Sequence, residues 1–101
     1  MPQDQRKYKI NEYLESLTVK EYKVGIKLIP KLLNVSANTI YNWRDIRLSD
    51  REDIPAQKAN MLEQLFGMQR GELANYQVDM KNLKDYIKED HQVVEQVSVD
   101  V

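Results

Sequence analysis

Cysteine is absent, which removes disulfides as a source of stability and thiolates as ligands for zinc or an iron–sulfur cluster, and fits a reducing compartment. The sole histidine, His91, stands in a polar stretch away from any serine and offers little for metal binding or acid–base chemistry. With three glycines and three prolines in 101 residues, no stretch resembles a long linker or a glycine-rich phosphate loop. Paired carboxylates such as Glu89–Asp90 occur, but nothing in the surrounding pattern builds a pocket around them. Neither an enzyme nor a bound cofactor is expected. No apolar run approaches the roughly 20 residues that cross a bilayer, and the start MPQDQRKYK lacks the apolar core of a signal peptide. The chain is therefore expected in the cytoplasm, with no membrane partner.

Charge of one sign is also scarce overall, the net value being −1. The distribution is uneven. Residues 1–51 hold 10 Lys/Arg against 6 Asp/Glu, a balance of +4, while residues 52–101 hold 5 against 10, a balance of −5. A basic half followed by an acidic half fits a domain with one phosphate-facing side, although ordinary solvated charge gives the same count.

What is present is mainly helical patterning. Ile10, Tyr13, Leu14 and Leu17 recur at three- and four-residue spacing and predict a first helix over about Lys7–Ser16. Thr18–Gly25 contains β-branched residues and a glycine and reads as a connection. Ile29, Leu32 and Leu33 give the apolar side of a short helix that stops near Asn34, a residue tolerant of the left-handed conformation. Ser36 is a good N-cap for a helix over about 37–46, with Ala37, Ile40, Trp43 and the stem of Arg44 inward and Asn38, Tyr41, Asn42 and Asp45 outward. After the polar loop RLSDRED, Asp53 and Pro55 mark another helix start, and Ala59, Leu62, Leu65 and Phe66 form its inward stripe before Gly67. A further short helix is expected over Arg70–Tyr76, and Met80, Leu83, Tyr86 and Ile87 predict one more. The tail alternates at Val97, Val99 and Val101, as a frayed end or a pairing strand would.

Two short helices joined by a tight turn, the second presenting polar side chains, is a geometry that enters the DNA major groove. Asparagine pairs in bidentate fashion with adenine, Ser and Thr contact either base type, and alanine touches the thymine methyl. Lys27, Lys31, Arg44, Arg47 and Arg51 are placed in sequence to hold phosphates, and Tyr41 can offer its hydroxyl to a phosphate.

The segment Ile26–Asp45 resembles the lambda-repressor-like (Cro/CI, XRE) helix-turn-helix family. LNVSANTIYNW is similar to that family's LGVSxxTIxxW stretch, and MLEQLFGMQRGEL is similar to its later leucine, aromatic and glycine pattern followed by Glu-Leu. The resemblance covers roughly Ile10–Asn75. It implies an all-α, five-helix domain over residues 7–76 that binds double-stranded operator DNA, often as a homodimer, with residues 77–101 as an extension for dimerisation or a protein partner. By the family's pattern Ser36, Ala37, Asn38, Tyr41 and Asn42 face bases, with Asp45 at the far end of the same face, and Thr39 belongs to the same helix start. Pro30 departs from the family's alanine and Asn34 from its turn glycine, and the loop after Trp43 carries Asp45, Asp50, Glu52 and Asp53, which repel phosphates wherever they face them. An alternative expectation keeps the fold as a protein-interaction or oligomerisation module without DNA binding, motivated by the acidic second half and the extension.

Overall fold

The computed structural model describes residues 5–94, with side chains through Asp90. Five helices form among them: α1 (Ile10–Glu15), α2 (Val19–Leu33), α3 (Ala37–Asp45), α4 (Ala56–Leu65) and α5 (Leu83–Val94). No strand forms among the described residues, so the chain is mostly helical. Residues 7–76 hold four of the helices rather than the expected five, and the alternating valines of the tail lie outside the described residues.

The helix boundaries follow from local chemistry. Thr18 and Glu21 form a capping box, Glu21 N–H donating to Thr18 Oγ1 at 3.1 Å and Thr18 N–H to Glu21 Oε1 at 2.9 Å. Two orphan donors are satisfied at once, so α2 starts at Val19 and the expected connection over Thr18–Gly25 is instead its first half. Pro30 consequently stands in the last turn of α2, not the first, and is buried there. Asn34 ends the helix at φ 58°, ψ 47°, with its N–H donating to Lys31 O at 3.2 Å and Val35 N–H to Pro30 O at 2.9 Å. This double closure is the Schellman arrangement, and it recurs after α4, where Gly67 at φ 69° donates to Gln64 O and Met68 N–H to Glu63 O. Val35 and Met68, the residues just past each stop, pack against the core.

The core lies between α1, α2, α3 and α4. Ile10, Leu33, Ile40, Leu62 and Leu73 are the largest side chains wholly removed from water, each contributing roughly 1.5–3 kcal/mol of burial. Tyr13 stacks on Phe66 at a centroid distance of 3.9 Å, joining α1 to the end of α4. Leu32 and Leu65, expected inward, are 54 % and 38 % exposed and line an open groove, while Ile29 and Leu33 of α2 and Leu62 of α4 supply the buried contacts.

Arg70–Tyr76 is not a helix. Gly71 adopts φ 86°, Leu73 N–H donates to the buried Glu63 carboxylate at 3.1 Å, and Lys9 Nζ takes the carbonyls of Glu72 and Ala74 at 2.8 and 3.0 Å. Carbonyls that a helix would use internally thus serve the N-terminal segment. That segment runs extended between two stretches: Lys7 N–H donates to Ile46 O and Leu48 N–H to Gln5 O, while Lys9 N–H donates to Leu73 O and Asn75 N–H to Lys7 O, all at 2.8 Å. It binds the end of α3 to the segment after α4, and α1 accordingly begins at Ile10 rather than Lys7.

Candidate nucleic-acid interface

The start of α3 is fixed by Ser36, whose backbone is extended and whose Oγ accepts from Thr39 N–H at 3.1 Å. The two hydroxyls, Ser36 Oγ and Thr39 Oγ1, lie 2.9 Å apart and share a hydrogen bond. Three residues, Asn34 to Ser36, separate α2 from α3, and the two helices pack together.

From Ser36 onward the 3.6-residue period sorts the side chains of α3. Ile40 and Trp43 are buried, and Ile46 continues their face beyond the helix. Ala37, Asn38, Tyr41, Asn42 and Asp45 are exposed together, at the spacing that puts them on one side of the helix. Ala37, expected inward by periodicity, therefore stands outward, since the first helical residue lies beyond the reach of the core. Thr39 is half-buried beside its partner Ser36.

The C-terminal end of α3 is strongly charged. Arg44 Nε lies 3.1 Å from Asp45 Oδ1 and Nη2 lies 3.4 Å from Oδ2, and the guanidinium sits over the Tyr41 ring at 5.1 Å from its centroid. Arg6 reaches the same carboxylate at 3.7 Å. Hydrogen bonding to Arg44, with the nearby arginine charges, holds the Asp45 carboxyl below its ordinary range, and the bond to Asp45 raises Arg44 in turn. Asp45 is thus engaged by two guanidinium groups.

The acidic loop after α3 is exposed, but part of its charge is engaged by neighbouring groups. Asp50 Oδ2 accepts from Arg47 N–H at 2.8 Å. Lys7, whose side chain is only 10 % exposed, donates to Asp50 O at 3.0 Å and Glu52 O at 2.9 Å and pairs with Asp53 Oδ1 at 2.7 Å. The bond from Lys7 holds the Asp53 carboxyl below the usual carboxylate range. Two of the loop's carboxylates are therefore occupied within the protein.

Lys27 and Lys31 are exposed on α2 in one stripe with Lys20 and Lys23, and Arg47 is exposed just after α3. The outward side chains of α3 are thus brought onto one face, with Arg44 turned toward Asp45 instead of standing alone. Sequence reasoning missed Arg6, Lys7 and Lys9. Their only local signal was a short basic run, because their partners lie far along the chain. Among the described residues no cluster of His, Cys, Asp and Glu could hold a metal, and no helix is long and apolar enough to cross a membrane. Comparisons with descriptions of known protein families, with curated proteins and with solved structures return no match for this chain.

Proposed function

We propose that this chain is a sequence-specific double-stranded DNA-binding protein of the lambda-repressor-like helix-turn-helix kind, acting in transcription regulation as a repressor. The observation that carries the reading is the sorting of α3: Ile40 and Trp43 are buried while Ala37, Asn38, Tyr41 and Asn42 stand exposed on one side, directly after a capped three-residue turn. A major groove about 12 Å wide admits such a helix, and its asparagines suit the paired donor and acceptor of adenine. N–H groups at the start of α3, together with Lys27, Lys31, Arg44 and Arg47, would hold phosphates on either side and set the register. A second protomer would read a half-site roughly 34 Å away.

Fluorescence anisotropy with duplexes selected from a random pool tests this. The expected result is enrichment of a short palindromic sequence, bound with an affinity that falls steeply as salt rises. Absence of duplex binding at low salt, beyond that of an acidic control protein, would overturn it.

The alternative, a protein-binding module, is favoured by one observation. Val24, Leu28 and Leu32 form an exposed apolar ridge on α2 that neither the core nor a phosphate backbone uses.

A further inference from the structure

Val24, Leu28 and Leu32 recur every fourth residue along α2 and are 56 %, 46 % and 54 % exposed. With Tyr13, Leu17 and Leu65 they line an open groove bounded by α1, α2 and α4. The same helix already serves the core through Ile29, Pro30 and Leu33 on another face, so the ridge is apolar surface with no partner inside the chain's own core.

Among the described residues a second apolar stripe stands exposed. On α5, Leu83 and Ile87 stand one turn apart and are 72 % and 54 % exposed, and Val78 and Met80 in the approach to α5 are 77 % and 71 % exposed. Lys81 pairs with Glu89 and its N–H donates to Tyr86 Oη, which ties the approach to the helix it precedes.

The two segments are also opposite in net charge. Four lysines, Lys20, Lys23, Lys27 and Lys31, run along α2 beside the ridge against the single acid Glu21, a balance of +3. Residues 77–101 hold three lysines against six acids, a balance of −3. An apolar ridge edged with lysine is the natural seat for an apolar helix face in an acidic segment.

We propose that the groove between α2 and α4 receives α5 from a second copy of this chain, and that the exchange is reciprocal, so that two grooves and two helices close a two-fold dimer. Leu83 and Ile87 lie against Val24, Leu28 and Leu32, and Lys20, Lys23 or Lys27 faces the acidic residues of the incoming segment. A second copy supplies the groove and the helix in equal number, and each protomer makes the contact twice, as an isologous interface requires. The dimer goes beyond the DNA-binding reading and does not depend on it.

Sedimentation velocity on the full chain without DNA tests the proposal separately from any DNA affinity. The wild type is expected to be a dimer, and Leu28→Glu and Ile87→Glu are each expected to weaken association by at least about tenfold. Mixing the two variants should yield a heterodimer, because the intact α5 of one protomer meets the intact groove of the other. Helicity by circular dichroism confirms that each variant is folded; Leu83→Glu on α5 replaces Ile87→Glu, and Val24→Glu on the α2 ridge replaces Leu28→Glu, where either is not. A monomeric wild type at every soluble concentration, folded variants that dimerise as tightly as the wild type, or a folded pair that stays apart on mixing each overturns it.

Discussion

Lys7 Nζ lies 2.7 Å from Asp53 Oδ1 while also donating to the carbonyls of Asp50 and Glu52. One nearly buried ammonium thus fixes the whole loop that leads from α3 to α4. Replacing it with the apolar, similarly long methionine, Lys7→Met, takes this donor from the two carbonyls and leaves Asp53 with the Tyr8 hydroxyl. Stability should fall by about 1–3 kcal/mol, read as a lower urea midpoint with an unchanged slope. The pair also sets an acid response. Because Asp53 has a folded pKa below its unfolded one, its contribution is complete above the unfolded value of about 3.9 and fades as pH falls through the depressed folded value. The wild type should therefore lose stability in that acid window more steeply than Lys7→Met does.

Tyr8 predicts the opposite response at high pH. Burial, followed by its bond to Tyr76, pushes the phenol well above its ordinary value, and its oxygen accepts from Ile54 N–H at 3.2 Å while its hydroxyl donates to Asp53 at 3.3 Å. A raised folded pKa gives stability that is present in full below the unfolded value of about 10 and is lost as pH rises beyond it. Tyr8→Phe should remove part of that alkaline loss. At neutral pH it should destabilise by roughly 1–3 kcal/mol, since Ile54 N–H is left buried without an acceptor. Denaturant melts at pH 7 and above pH 10 give both numbers.

Asn34 is the one residue other than glycine with positive φ among the described residues, at 58°. Its left-handed conformation ends α2 and sets the three-residue turn into α3. Asn34→Ala should cost up to about 1 kcal/mol, because alanine keeps the Cβ crowding of that conformation and loses the local polar interactions with which asparagine offsets it, whereas Asn34→Gly, which removes the Cβ, should be neutral or stabilising. An Ala variant as stable as the wild type in thermal melts would show that the turn relaxes to another conformation.

What the sequence made legible was whatever short-range chemistry controls. The Ser36 cap, the Asn34 stop, the burial of Ile40 and Trp43 and the exposure of Asn38, Tyr41 and Asn42 all follow from residues within one or two turns of each other. The capping box of Thr18 and Glu21 was equally local, but the valine and glycine nearby masked it, and α2 read as half its length. The expected helix over Arg70–Tyr76 failed for a different reason. Lys9 and Lys7 reach across the whole chain to take carbonyls there and in the loop before α4, and no periodicity reports a partner so distant. The candidate site was read through the same window: its helix face was visible, while the engagement of Asp45 by Arg44 and Arg6 was not.

On the DNA-binding reading, Asn38 and Asn42 are the two side chains of α3 best suited to bidentate contact with adenine. Each alanine replacement should lower discrimination between the selected sequence and a single-base variant by about 1–3 kcal/mol. Helicity should be unchanged, as both side chains are exposed. Competition binding with matched and mismatched duplexes measures the difference, and full selectivity in the double variant would remove these two residues from the assignment.

Asp45 offers a test of the charged end of α3 that leaves Ala37, Asn38, Tyr41 and Asn42 in place. Its carboxylate holds Arg44 directly and Arg6 at 3.7 Å, and the side chain remains 52 % exposed. An exposed pair of this kind contributes about 0–1 kcal/mol to stability, so Asp45→Asn should fold normally. The substitution removes one negative charge and releases two guanidinium groups, each able to take a phosphate. If this end of α3 faces the duplex, affinity at low salt should rise, and the slope of log K against log salt should steepen by about 0.9 for each additional phosphate neutralised. An unchanged slope with unchanged affinity would turn this end of the helix away from the DNA, and would leave phosphate binding to the lysines of α2 and to the start of α3.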